Sequence, residues 1–371
     1  MNRTIRTWVE ISLNNLEHNY HEICSRLPEG CQMLGICKAN SYGHGAVRVA
    51  QRLQQAGCHW VAVNCYDEAE ELRAAGVGME ILILGPQPAN IAVDVANLDA
   101  TQTIGSLAYA KELNRYLEGT GLHLKAHMKL ETGMGRTGFD ASSGAHMNEM
   151  LETLALPNLD ITGVFTHFAV SDEAGNPYND LQFARFTAAI SEMEARSGRK
   201  FKIRHCANSG AVINYPQTYL DMVRPGLLLY GLFPGEETAG LDLRPAMELR
   251  SRVCDITQHR AGDTISYGRM FTCDRDMRLA VLPVGYADGL LRSLSGKADV
   301  LIRGHRVRQV GRICMDMCMV DVTDYPEIRP GDVATVFGRA LSASEQARKA
   351  DTIPYELLCA VSQRVPRVYV D

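Results

Sequence analysis

The stretch MLGICKANSYGHGAVRVAQRLQQAGCHWVAVNCYDEAEELRAAGVGMEILIL, residues 33–84, decides the fold by its rhythm. Three apolar runs of strand length, 33–37, 60–63 and 80–84, alternate with two segments of helix length, and the third run stops at Gly85-Pro86. Within 46–55, Val47, Ala50 and Leu53 fall on one face at helical spacing, and 67–75 reads as a second helix. Strands separated by helices predict βαβ units and a parallel sheet. Further strand-length runs lie near 101–104, 125–130, 161–166, 202–206 and 222–230. About eight such units in roughly 220 residues match an α/β fold of the (β/α)8 TIM-type barrel class. A doubly wound open sheet is the competing arrangement.

Beyond about residue 235 the helical spacing fades. Short β-rich runs at 249–258, 279–282, 300–302, 306–310, 317–322 and 333–337 are punctuated by Ala261-Gly262-Asp263, Ser295-Gly296, Gly304-His305 and Pro330-Gly331-Asp332. These are turn-forming strings, and they predict a mainly antiparallel β domain. The expected division is a barrel over 12–235 and a β domain over 236–371 together with 1–11.

A chain of 371 residues is long enough for two cores. Its net charge of −5 argues against a dedicated nucleic-acid binder, which is usually basic. The eleven cysteines are odd in number and contain no Cys-x-x-Cys pair and no zinc-like Cys/His spacing. They predict packed thiols in a reducing compartment and no metal site. The N-terminal string MNRTIRTWVEISLNNL has no apolar core of signal-peptide length. Apolar stretches such as 227–230 fall far short of the roughly 18–20 residues that span a bilayer. The expected location is the cytoplasm, without a membrane partner.

Lys38 stands directly after the first predicted strand, in KANSYGHG (38–45). A lone lysine there more often snorkels to the rim. At the catalytic end of a barrel strand, however, desolvation makes an amine a better Schiff-base nucleophile. Gly43 and Gly45 supply a tight turn, and Tyr42 and His44 add polar groups at the same mouth.

This string resembles the cofactor-lysine segment of the alanine racemase family. The resemblance continues in matching order through ETGMGRTGF (131–139), THFAVSDE (166–173), HCANSGA (205–211), RPGLLLYG (224–231), ISYGRMF (265–271), LPVGYADG (282–289), GRICMDMCMVDVTD (311–324) and IPYELLCAVSQRVPRVY (353–369). It implies a fold-type III enzyme that holds pyridoxal 5′-phosphate as a Schiff base on Lys38. It also implies a phosphate site made by Tyr42, Ser209, Gly226, Leu227 and Tyr355. Glycine-rich turns after late barrel strands suit that task because they expose backbone N–H donors.

By the same resemblance Arg224 faces the pyridine nitrogen and His167 orients it. A guanidinium only donates, so the nitrogen stays unprotonated and the cofactor becomes a weaker electron sink. Racemisation requires an acid/base group on each face of a planar intermediate. The resemblance assigns these roles to Lys38 and Tyr267. A tyrosine of ordinary pKa, ~10, needs nearby positive charge for this work. Arg136 and the Met315 backbone are the implied substrate-carboxylate contacts. Lys129, which is often carbamylated in the family, and Asp316 are the implied supporting residues.

A homodimer is implied, with Tyr267 and Met315 of one copy opposite Lys38 of the other. So is a role in supplying D-alanine for peptidoglycan. The chain departs from the family pattern at Cys37, Ser41, Thr137 and Met317-Cys318, and none of these removes a catalytic group. Three alternatives stay open: a serine racemase of the same family, a related barrel decarboxylase for basic amino acids, and a non-catalytic pyridoxal-phosphate carrier. Tyr355 favours alanine, because serine-active relatives tend to carry a smaller residue there.

Overall fold

The computed structural model describes residues 6–371, which divide into two compact units. One comprises Glu17–Ser41 and Ala46–Leu243. The other comprises the described residues through Leu16, Tyr42–Gly45 and Arg244–Asp371. The first five residues of the expected 1–11 segment lie outside the described residues.

The first unit contains eight barrel strands: Gln32–Ile36, Trp60–Val63, Glu80–Ile83, Ala100–Ile104, Leu124–Glu131, Leu159–Phe165, Ile203–His205 and Met222–Val223. Each pairs in parallel with the next through the seventh, and the eighth pairs in parallel with the first. Between the seventh and eighth, backbone bonds from Asp221 N–H to Arg204 O and from Arg224 N–H to Ala207 O close the ring. This is the (β/α)8 class, not the open sheet. Strands covered on both faces read as continuous apolar runs, and Trp60–Val63 is buried at every position.

Helices such as Ala46–Gln55, Leu107–Leu117 and Pro177–Ser197 connect the strands. The last begins with Asn176 accepting the Tyr178 N–H and Pro177 at its first turn, and it ends at left-handed Gly198. The run 222–230 is not one strand, contrary to its apolar content. Pro225 and Gly226 break it, and Leu227–Tyr230 is a 3-10 turn.

The second unit carries a nine-stranded sheet in which Thr7–Ser12 lies between Met247–Arg252 and Arg367–Val370. Every pairing is antiparallel except the parallel one between Thr7–Ser12 and Arg367–Val370. The run 249–258 is two strands, Met247–Arg252 and Asp255–His259, which lie far apart in the sheet order. A small hairpin, Thr264–Ile265 with Phe271–Thr272, packs through Ile265 and Phe271 onto Cys273, Met277, Leu279, Val310 and Met319. That packing gives a firm base to the turn at 266–270.

Candidate active site

In the barrel unit the chain leaves the first strand through Cys37, whose N–H donates to Ala62 O, and enters Lys38. Ala39, Asn40, Ser41 and Tyr42 all have φ between 50° and 53°, a left-handed turn built without glycine. Each such residue costs about 1–2 kcal/mol. The barrel offsets this strain with specific bonds. Glu68 accepts the Ala39 N–H at 2.7 Å, Cys37 O accepts the Ser41 N–H at 2.9 Å, and Asn40 Oδ1 accepts the Ala46 N–H at 2.8 Å. Backbone strain held in place this way is typical of functional segments. Burial pushes the neighbouring Cys37 thiol up to about 12, so that thiol is not a nucleophile.

Lys129, on the fifth strand, is 4% exposed and donates to Thr137 Oγ1 at 2.8 Å. Burial, reinforced by Arg136 and Arg224 and more weakly by Lys38, lowers its pKa to about 8, against the pull of Glu131. Arg136 follows a turn organised by Glu131, whose carboxylate accepts the N–H of Gly133 at 2.6 Å and of Arg136 at 3.0 Å. Tyr178 donates its hydroxyl to Gly133 O at 2.8 Å, and Arg185 donates to Thr132 O at 2.9 Å. Gly133, at φ 144°, has no room for a Cβ against Tyr178.

Burial pushes the Glu131 carboxyl up, but the N–H groups of Arg136, Gly135, Gly133 and Met134 outweigh it and hold the carboxyl below the usual range. Its stabilising effect is therefore complete above the unfolded value, ~4.3, and is lost as pH falls through the lower folded value. Urea midpoints of wild type and Glu131→Gln, measured between about pH 6 and 3, should converge as the pH falls. A gap that stays constant over that range would rule out this role for the charge.

Arg224 is 4% exposed. Its Nη1 donates to His205 Nδ1 at 2.9 Å, and its Nη2 donates to Thr166 O at 2.7 Å, Cys206 O at 3.2 Å and His167 Nδ1 at 3.3 Å. Burial lowers its pKa to about 10, with Cys206 opposing and Arg136 adding to the shift, so it stays charged at neutral pH. A guanidinium cannot accept a hydrogen bond, which fixes the protons around it. His205 accepts at Nδ1, so it carries its proton on Nε2 and donates to His127 Nδ1 at 2.9 Å. Burial and Arg224 lower His127 to about 3 and hold His205 and His167 well below the usual imidazole value. All three rings are neutral at physiological pH. The Phe165 ring lies under Arg224 at 5.3 Å and stacks on His205 at 4.8 Å. The Nε of Arg224 makes no hydrogen bond among the described residues, so its N–H is available to a ligand.

On the same unit Asn208 caps the turn Ser209–Asn214 by accepting the Ala211 N–H, and Ser209 Oγ accepts the Leu228 N–H at 3.4 Å. Gly210 lies against the Ser171–Asp172 backbone, where a Cβ would sit 2.6 Å from Asp172 N. Gly226 and Leu227 begin the 3-10 turn, and Tyr230 at its end donates to Ile36 O at 2.6 Å. Two backbone turns, a serine hydroxyl and two glycines thus lie at adjacent strand ends, a donor set that suits a phosphate.

The β unit carries further candidate residues of its own. Tyr42 and Tyr355 meet edge to face, with centroids 5.5 Å apart. Arg367 donates to Gly43 O at 3.0 Å and Tyr369 to His44 O at 3.2 Å, which fixes the 42–45 turn. Tyr267 is 70% exposed on the hairpin turn, where Ser266, Gly268 and Arg269 all have positive φ. Ser266 donates to Arg312 O at 2.7 Å. A cavity of about 390 Å³ is lined by Ser266, Tyr267, Cys314, Met315, Asp316, Met317 and Met319. Met315 is 53% exposed, and its N–H meets no acceptor among the described residues.

The barrel unit thus gathers Lys38, Lys129, Arg136, His167 and Arg224 closely enough that their charges act on Lys129, His167 and Arg224, with Ser209, Gly226 and Leu227 on neighbouring turns. The β unit gathers Tyr42 with Tyr355, and Tyr267 with Met315 and Asp316. Reading the sequence missed Glu131, His127, His205 and the carboxylate of Glu68. Glu131 and His205 lie at strand ends, His127 inside a strand and Glu68 in a helix, and their residue types were the one signal available. Among the described residues no cluster of His, Cys, Asp or Glu is arranged to hold a metal, and no helix is long and apolar enough to cross a membrane.

Comparison with known proteins accounts for this arrangement over the whole chain. Residues 11–234 match the family model "Alanine racemase, N-terminal domain", and residues 246–369 match "Alanine racemase, C-terminal domain". The chain is 42% identical over 366 residues to the alanine racemase of Desulforamulus reducens, a match covering 98% of both chains. It is 45% identical over 366 residues to that of Desulfovibrio desulfuricans, again covering 98% of both. The solved alanine racemase of Clostridium difficile superposes with a TM-score of 0.94 at 38% identity, covering 100% of this chain and 97% of that one. The paired cationic and tyrosine-bearing units, read with these matches, place the chain in the alanine racemase family of isomerases.

Proposed function

We propose that the protein interconverts L- and D-alanine with pyridoxal 5′-phosphate as cofactor. The observation that carries this reading is Arg224. It is a buried cation whose Nη groups are held by His205, His167, Thr166 and Cys206, with Nε left to donate to a ring nitrogen. When bound, the cofactor supplies a conjugated carbonyl that withdraws electrons from the α-carbon of an amino acid. Arg224 cannot accept a proton, so the nitrogen it faces stays unprotonated and the withdrawal is moderate. That restraint favours returning a proton to the α-carbon over other fates of the substrate.

In this reading Lys38 holds the cofactor's carbonyl carbon and, once displaced, its Nζ takes or returns the α-proton on one face. Tyr267 Oη does so on the other. Ser209, Gly226, Leu227, Tyr42 and Tyr355 hold the phosphate, while Arg136 and the Met315 N–H hold the substrate carboxylate. Lys129 and Asp316 support those two. The lowered pKa of Lys129 leaves part of its amine neutral and able to add carbon dioxide with loss of a proton. The resulting carbamate would convert a like-charged neighbour of Arg136 into an attractive one.

A homodimer is part of the proposal. Tyr267, Met270, Met315 and Met317 are all exposed large side chains on the β unit, a concentration that marks a contact surface. Each β unit would cover the barrel mouth of the other copy, bringing Tyr267 opposite Lys38. The product would be D-alanine for cell-wall peptidoglycan, made in the cytoplasm.

The test is turnover of alanine and of serine, each from both enantiomers, by purified cofactor-loaded protein. Alanine should convert in both directions to an equal mixture, because enantiomers have equal free energy. Serine should be slower, with Tyr355 restricting a hydroxymethyl group. Serine turnover equal to or faster than alanine would overturn the substrate. Carbon dioxide release would make the protein a decarboxylase, and inertness toward every amino acid would make it a carrier.

A further inference from the structure

The loop that carries Met315 is held from behind by a charge network on the β unit. Asp288 is 1% exposed, yet it is fully engaged. Its Oδ2 accepts the Gly285 N–H at 2.9 Å, and its Oδ1 accepts Arg364 Nε at 2.9 Å and Arg6 Nη2 at 3.2 Å. Arg364 extends across the gap: its Nη2 donates to Asp316 Oδ1 at 2.7 Å. Arg6 Nη1 donates to Asp316 O at 3.3 Å.

The 285–288 turn in turn grips the loop by its peptide planes. Tyr286 N–H donates to Cys314 O at 3.1 Å, and Ala287 N–H donates to Met315 O at 3.0 Å. In a planar trans peptide the C=O and the following N–H point in opposite directions. Pinning Cys314 O therefore aims the Met315 N–H the other way. Gly285 is obligatory in this contact, since a Cβ would meet the Cys314 and Met315 carbonyls. Cys314 N–H closes the loop on Met317 O at 2.9 Å.

We propose that Asp288 and Arg364 are positioning residues that lock the 285–288 turn and the 314–316 loop into one block and so set the direction of the Met315 N–H. This rests on the reading above that the Met315 N–H receives the substrate carboxylate. Arg364 bridges two carboxylates with a fork of donors that a lysine, with one nitrogen, cannot reproduce. Asp316 is the exposed end of the bridge, so it can be cut without stranding the buried Asp288 charge.

Asp316→Ala and Arg364→Lys are compared with wild type in the cofactor-loaded protein. Propionate, a carboxylate without an amino group, is titrated by calorimetry, and ethylamine, an amine without a carboxylate, is followed by its effect on cofactor absorbance. In both variants propionate should bind about tenfold more weakly and the KM for alanine should rise by a similar factor, the effect of one lost charge-assisted hydrogen bond. The kcat and the rate with ethylamine should stay within about threefold, since a contact made equally in the ground and transition states changes KM alone and ethylamine has no carboxylate. Asp316→Asn, which keeps an acceptor oxygen, should fall between Asp316→Ala and wild type. Variants that bind propionate as tightly as wild type, or that lose ethylamine reactivity equally, would overturn the clamp. Failure of the racemase reading looks different: wild type would bind propionate and leave alanine unchanged.

Discussion

Lys38→Ala should lose alanine turnover by at least about 10⁴-fold, the upper end of what a single positioned acid–base group supplies, because it removes the cofactor tether together with one of the two bases. Borohydride should no longer fix the cofactor to the chain, and the absorbance of the loaded protein should shift to that of unattached cofactor. The variant should fold. The left-handed run begins at Ala39, and the bonds that hold it come from Glu68, Cys37 O and Asn40. None of them uses the lysine side chain. Far-ultraviolet circular dichroism and thermal midpoint check this. A variant that folds and still fixes cofactor covalently under borohydride would move the attachment to another lysine. Lys129 would be the next to test, being buried and of lowered pKa.

Tyr267→Phe should give the second largest effect, a loss of about 10²–10⁴ in racemisation with cofactor attachment intact. Its diagnostic feature is asymmetry. In deuterium oxide, exchange of the α-hydrogen should continue from the enantiomer whose proton faces Lys38 and stop from the other. The phenol is 70% exposed in the protomer and makes no hydrogen bond among the described residues, so stability should change by no more than about 0.5 kcal/mol. Equal loss of exchange from both enantiomers would defeat the two-base assignment. If activity of the wild type falls on dilution while each chain stays folded, that would add support for a Tyr267 supplied by a second copy.

The two variants also separate the contributions of the two units. Lys38 belongs to a group of mutually repelling cations in the barrel, in which Lys129 and Arg224 lie below their ordinary values and His167 is kept neutral. Such a cluster is stable only because other groups share the load: Glu131 on the Arg136 turn, the carbonyls of Thr166 and Cys206, and the face of Phe165. It is also a site ready for a ligand carrying phosphate and carboxylate groups. Tyr267 and Met315 sit on a hairpin and a loop held by backbone hydrogen bonds.

The barrel could be read from residues 33–84 because strands buried on both faces must be continuously apolar, while their connecting helices keep one polar side. The motif strings likewise marked Lys38, Arg136, Ser209, Arg224, Tyr267 and Met315 as candidates, through their resemblance to the alanine racemase family. The method failed where composition and backbone conflict. The run 222–230 is largely apolar, but Pro225-Gly226 ends its strand at Val223. The run 249–258 looks like one strand and is two.

Other features depend on contacts that no local pattern encodes. Of Ala39, Asn40, Ser41 and Tyr42 only the asparagine is suited to left-handed backbone, and the run is held in it with Glu68, 29 residues on, accepting the Ala39 N–H. The neutral state of His167, His205 and His127 follows from burial first and then from the charge of Arg224 beside them. Asp288, Arg364 and Asp316 are ordinary charged residues in sequence, and become a clamp when the sheet brings their segments together. The sequence by itself determined the element types and the chemical inventory, through periodicity and residue identity. The tertiary structure alone decided backbone strain, protonation and the direction of each donor, because those depend on neighbours distant along the chain and on the water that burial removes.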